Sequence, residues 1–153
     1  MKSSSPASRR PLERGQFSWV SAVLLLGLAA AVYLGWVWGP VYVLHREVIQ
    51  VVRGYANKAV HDPNDAVLVD AMCLRLGSLA QEPGEDAFGR AIQVPVVSLA
   101  PADVTWQRDA QASPPTLRIA FEYVRVVRYP LVDRTVETTM SVDLTSNIEV
   151  PKW

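Results

Sequence analysis

A stretch without one charged side chain runs from Phe17 to Leu44, and it limits this chain more than any other feature. A hydrocarbon core of roughly 30 Å is crossed by about 20 apolar residues in helix, and a soluble core helix seldom runs this far without a charge. The stretch predicts a transmembrane helix over 17–44. Aromatic side chains mark its ends, with Trp19 at one and Trp36, Trp38 and Tyr42 at the other. At about 1.5 Å per residue the separation of Trp19 from Trp38 matches the hydrocarbon thickness, which places these aromatics at the two membrane interfaces. Gly39-Pro40 falls at the exit, where proline removes one backbone donor and is tolerated as a kink rather than a stop.

The formal net charge of zero hides an asymmetry, because Lys2, Arg9, Arg10 and Arg14 outnumber Glu13 in residues 1–16 and the remainder is net acidic. Basic residues beside a first membrane helix favour the cytoplasmic side. The expectation is a cytoplasmic basic leader over 1–16 and an exported domain over 45–153, anchored in a bacterial inner membrane and facing the periplasm. Arg46, Arg53 and Lys58 on the far flank pull the other way. Residues 45–153 suffice for one compact domain with its own core. A single cysteine, Cys73, excludes an internal disulfide, so packing must hold that domain together. Its setting in the apolar stretch Val67–Leu79 reads as a buried, inert thiol.

Within the span, Gly27, Ala31, Gly35 and Gly39 recur at a spacing of four and form a stripe of small residues, ending in a G-x-x-x-G pair. Such a stripe lets helix backbones approach closely in lipid, so it predicts contact with another membrane protein or a second copy; glycine and alanine are also simply common in membrane spans. Two processing alternatives stand beside a retained anchor. Ala29-Ala30-Ala31 offers a signal-peptidase site, but the apolar run continues to Leu44 and exceeds a signal core. Arg14-Gly15 before Gln16-Phe17 matches a prepilin-type leader, but Val20 stands where most pilins carry glutamate.

Beyond the exit, Val48, Val52, Tyr55 and Ala59, joined by Ile49, Ala56 and Val60, follow helical spacing opposite Arg46, Glu47, Gln50, Arg53, Asn57 and Lys58. This pattern predicts an amphipathic helix that continues the membrane helix. Asp62-Pro63 then predicts an N-cap and first helical position for a second helix from Pro63 to about Ala80. Gln81–Gly89, with Pro83-Gly84, reads as a loop. Strands are predicted over Ile92–Leu99, interrupted by Pro95, over Asp103–Arg108, and over Thr116–Tyr129, where Leu117, Ile119, Phe121 and Tyr123 point one way. The last, Thr135–Thr145, pairs with it through a loop at Tyr129–Arg134. The layout is α+β: a transmembrane helix running into an amphipathic one, a second helix, and an antiparallel sheet of about four strands.

The basic leader ending in Arg14-Gly15, the single span, Gly39-Pro40-Val41-Tyr42 at its exit and the run from Leu117 to Tyr123 together resemble a family of uncharacterised bacterial single-pass membrane proteins with a pilin-like layout. The resemblance implies an inner-membrane location and supplies no catalytic residues.

Candidate chemistry is sparse. His61-Asp62 matches the adjacent pair of metal-dependent phosphohydrolases, but the other histidine, His45, sits at the membrane exit, so a helix cap explains the pair better. No nucleophile elbow or phosphate-binding glycine loop occurs, and neither a cofactor nor an enzymatic activity is expected. Arg118, Arg125 and Arg128, with Arg134, offer a basic patch for an anionic partner or lipid headgroups, although Glu122, Asp133 and Glu137 interleave with them as on a solvated sheet face. The acidic exported half gives nucleic-acid binding no support. Trp153 either packs on the domain or serves a partner. The expected role is contact with other proteins, as an accessory subunit of an envelope assembly; a pseudopilin-like component and a periplasmic ligand-sensing domain are the alternatives.

Overall fold

The computed structural model describes residues 19–149, so the leader 1–16, Phe17 and the candidate contact Trp153 lie outside the described residues. The chain divides into two compact units, 1–34 and 35–153. Helix α1, Trp19–Lys58, contributes to both; it is 40 residues long and runs unbroken through Pro40. In the first unit α1 exposes Val20, Val23, Leu24, Leu25, Leu26, Leu28 and Val32. Only 6% of its most apolar 18 residues is buried, the reverse of a soluble core helix, and it is long and apolar enough to cross a membrane.

In the second unit the same helix buries Val41, Leu44, Val48, Val52 and Ala56, and Ala59, just past its end, is buried in line with them. These recur every three or four residues and so form one stripe of a 3.6-residue helix. The stripe begins at Val41, inside the segment 17–44, and its members from Leu44 onward belong to the core cluster.

Helix α2 covers Asp65–Gly77, shorter at both ends than the Pro63–Ala80 expected from the sequence. Asn64, and not Asp62, is its N-cap, with Oδ1 accepting from the Val67 N–H at 3.5 Å. The Asp62 carboxylate instead accepts from the Asn64 N–H at 2.9 Å. With that side chain closing a local turn around Pro63, capping passes to the next polar residue. At the other end the Ser78 hydroxyl donates to the Arg75 carbonyl at 2.8 Å, and the ladder stops.

The expected loop over Gln81–Gly89 is mostly a strand. Gln81–Glu85 (β1) pairs antiparallel with Ala91–Pro95 (β2) as a separate two-stranded sheet. Pro83-Gly84 reads as a turn, yet β1 has a neighbour on one side only, and such a strand tolerates a residue without an N–H. Gly84 is required by close approach, since a Cβ there would lie 2.6 Å from Val94 Cγ2. The turn itself falls at Asp86–Arg90. There the Asp86 carboxylate accepts from the N–H groups of Phe88 at 2.8 Å and Arg90 at 2.9 Å, and Gly89 takes a φ of 74°.

A short 3₁₀ turn, Pro101–Asp103, leads into β3 (Thr105–Asp109), followed by β4 (Thr116–Tyr129) and β5 (Arg134–Asn147). These form an antiparallel sheet in the order β3-β4-β5. Among the described residues, the single sheet of about four strands expected from the sequence is therefore five strands in two sheets, because β1 and β2 pair only with each other. Strand β4 has the predicted bounds, and Leu117, Ile119, Phe121 and Tyr123 are buried as the alternation requires. They pack with Val142 of β5, the α1 stripe from Leu44 onward, and Leu68, Met72 and Leu76 of α2 in one cluster, so both helices contribute to the core on one face of this sheet.

Arg108 on β3 fastens the helices to the sheet. Its guanidinium donates to the Ala59 carbonyl at 2.9 Å, to the Asp62 carbonyl at 3.1 Å and, through Nε, to both oxygens of Asp65 at 3.1 and 3.2 Å. It thereby serves orphan carbonyls just past α1 and the carboxylate of the first turn of α2. Arg108→Ala is expected to lower stability by about 1.5–3 kcal/mol, the range for hydrogen bonds to charged groups. Arg108→Lys should recover little of it, because an ammonium cannot reproduce the planar fork. Chemical denaturation of the detergent-solubilised full chain measures both.

Candidate functional site

Alternation along β4 continues beyond Tyr123, so the odd-numbered positions that bury Leu117 and Ile119 also turn Arg125 and Val127 to the inner face. A guanidinium on the core side of a sheet needs a partner, and β1 supplies one. Arg125 Nη2 lies 2.7 Å from Glu82 Oε1, with the arginine side chain 15% exposed. Its Nε is buried with no hydrogen-bond partner. One pleat toward the core, the Tyr123 hydroxyl lies 3.0 Å from His45 Nδ1 on α1. Two polar pairs, His45–Tyr123 and Glu82–Arg125, thus stand side by side where the apolar core ends.

Beside the Glu82–Arg125 pair opens a cleft of about 610 Å³. Trp36, Val37, Pro40 and Val41 of α1 line it, together with Glu82 and Pro83 of β1. Residues Arg125 to Arg128 of β4 and Pro130 complete it. Its chemistry is that of an apolar helix wall against arginine. The described residues hold no group of three or more histidine, cysteine, aspartate or glutamate side chains that could ligate a metal. Asp62 is engaged instead as a turn acceptor and as a carbonyl partner of Arg108. Cys73 is buried in the core, and burial pushes its thiol pKa up, with Asp70 adding to the effect.

The arginines considered from the sequence do not form one patch. Arg118 lies on the outer face and engages Asp143 through two bonds of 3.1 and 2.6 Å, which hold that carboxyl below the usual carboxylate range. Arg128 is exposed on the same outer face near the end of the strand, and Arg125 is on the opposite face. Along α1, Gly27, Ala31 and Gly35 are exposed and Gly39 is half-buried. A Cβ at Gly27, Gly35 or Gly39 would meet nothing within 4 Å, so that side of the helix is uncovered by the chain itself. Trp19, Trp36 and Tyr42 are exposed, and Trp38 contacts the Tyr42 ring at 6.0 Å between centroids.

Sequence reasoning missed Glu82, His45 and Tyr123 as partners. The inward turn of Arg125 was available from the parity of β4, whereas Glu82 was hidden because β1 was read as a loop. The fold defines an α+β chain with a long apolar N-terminal helix. No protein-family model, curated protein or solved structure matches it.

Burial pushes the Tyr123 phenol pKa up, against an opposing pull from Arg125. The folded chain therefore keeps this proton at a pH where the unfolded chain has released it. Stability is present below the unfolded value of about 10 and falls as the pH rises past it. Tyr123→Phe should flatten that alkaline decline, as measured by thermal unfolding of both proteins across pH.

Proposed function

We propose that the chain is a single-pass protein of the bacterial inner membrane, with its N-terminus cytoplasmic and its α+β domain in the periplasm. The domain acts through protein contacts, as an accessory subunit of an envelope assembly. One observation carries this reading: a single helix changes character along its length. Its first part exposes apolar side chains from Val20 to Leu34, and its second part buries a regular stripe from Val41 to Ala59. Contiguous apolar surface of that kind marks a lipid or partner contact rather than a surface in water. A bare first half and a second half packed on an antiparallel sheet also support the pilin-like layout.

Topology is tested with single cysteines at Ser3→Cys or Thr139→Cys in a Cys73→Ser background. In intact spheroplasts, a membrane-impermeant maleimide should label position 139 and spare position 3, and alkaline carbonate should leave the protein in the membrane. Labelling at position 3, or release by carbonate, rejects the reading.

The uncovered small-residue stripe supports helix pairing as the mode of contact. Because a Cβ at Gly35 or Gly39 meets nothing in the chain, the double variant Gly35→Leu, Gly39→Leu should insert normally yet lose helix-to-helix crosslinking in native membranes. Unchanged crosslinking would show that pairing does not use this face.

A further inference from the structure

The long β4–β5 hairpin ends in an apolar tip. Tyr129 pairs with Arg134, and the turn between them exposes Leu131 at 76% and Val132 at 67%. Large apolar side chains at the end of a hairpin have no core to reach, since the buried positions nearest on β4 begin at Val127. The turn is ordered all the same. The Val132 N–H donates to the Tyr129 carbonyl at 3.2 Å, and Asp133 closes it in the left-handed region at φ 46°. A shaped turn that presents two adjacent aliphatic residues is a feature to be explained by what lies outside the chain.

Charge and position both indicate what that is. Arg128 and Arg134 flank the tip, exposed on opposite faces of the hairpin, and neither side chain is in an ion pair with another described residue. The one acidic residue at the tip is Asp133. Pro130, next to Leu131, lines the same cleft as Trp36, Val37 and Pro40 of α1. The tip therefore adjoins a cleft lined by the part of α1 where the sequence puts the exit from hydrocarbon. Apolar residues collared by arginines at that level match the headgroup–acyl boundary of a bilayer carrying anionic lipids, where aliphatic side chains leave water and guanidinium groups meet phosphates.

We infer that Leu131 and Val132 insert into the bilayer beside α1, with Arg128 and Arg134 on anionic lipid headgroups, so that the domain touches the membrane at a second point. The inference rests on α1 being a membrane span. Two contacts fix the domain against the membrane surface, whereas a helix alone leaves it free to tilt.

The test uses the full chain in vesicles of phosphatidylcholine, with or without phosphatidylglycerol, and a nitroxide on a single cysteine in the Cys73→Ser background. Leu131→Cys and Val132→Cys report the tip, Thr139→Cys reports exposed β5, and Leu26→Cys reports the span. The tip labels should collide several-fold less with a water-soluble nickel chelate than the label at 139 and more with oxygen, and the contrast should grow with phosphatidylglycerol. If position 26 is lipid-protected while both tip labels match position 139, the inference fails and the membrane span stands. If position 26 is also water-accessible, the span fails and the inference with it. Tip labels shielded from both probes would place a protein there and overturn the lipid assignment, and protection indifferent to phosphatidylglycerol would remove the role of the arginines.

Discussion

The fold depends on one apolar stripe, Leu44–Val48–Val52–Ala56–Ala59, that shares a core cluster with the inner face of β4. Alanines at the far end and branched residues before them let α1 meet the side chains of Leu117, Ile119 and Phe121 without a polar group between them; the buried set holds no charged residue. Once that contact is made, α2 has a place defined by Leu68, Met72 and Leu76, which join the same cluster. The stripe also marks where α1 changes its surroundings. Up to Leu34 apolar residues lie all round the helix, and from Leu44 the buried ones keep to one side.

Polar fastenings bracket this core. At one end Arg108 gathers the Ala59 and Asp62 carbonyls and the Asp65 carboxylate, where two helices meet and backbone acceptors would otherwise be left over. At the other, Tyr123 meets His45 and Arg125 meets Glu82, which brings α1 and the β1–β2 hairpin to the end of β4. Buried and half-buried polar groups are costly unless paired, so these pairs restrict which neighbours can dock there as well as how firmly they do. The Glu82–Arg125 pair in particular sets a charged wall on a cleft whose remaining lining is largely apolar.

How far the chain could be read before folding differs from element to element. The β4 bounds and the burial of Leu117 to Tyr123 were legible because a two-residue alternation is a local pattern. The cap of α2 was not, since Asp62 and Asn64 compete for the same role and the winner depends on the turn that Pro63 imposes. Strand β1 was hidden for a similar reason: Pro83-Gly84 is a turn signal locally, and only the Val94 side chain packed against Gly84 shows it as a strand position. The candidate site suffered most. Arg118, Arg125 and Arg128 look like one cluster along the chain, yet strand parity sends Arg125 to the opposite face.

The sequence by itself determined a long apolar helix, an amphipathic continuation and a β-rich second half, because hydropathy and periodicity act within a few residues of one another. Only the tertiary structure decided that β1 pairs with β2, that Glu82 neutralises Arg125, that His45 meets Tyr123 across 78 positions of chain, and that Pro130 lines the same cleft as Trp36. Each of these joins residues far apart in sequence, and their proximity follows from how the helix stripe and the sheet face fit together rather than from any local preference.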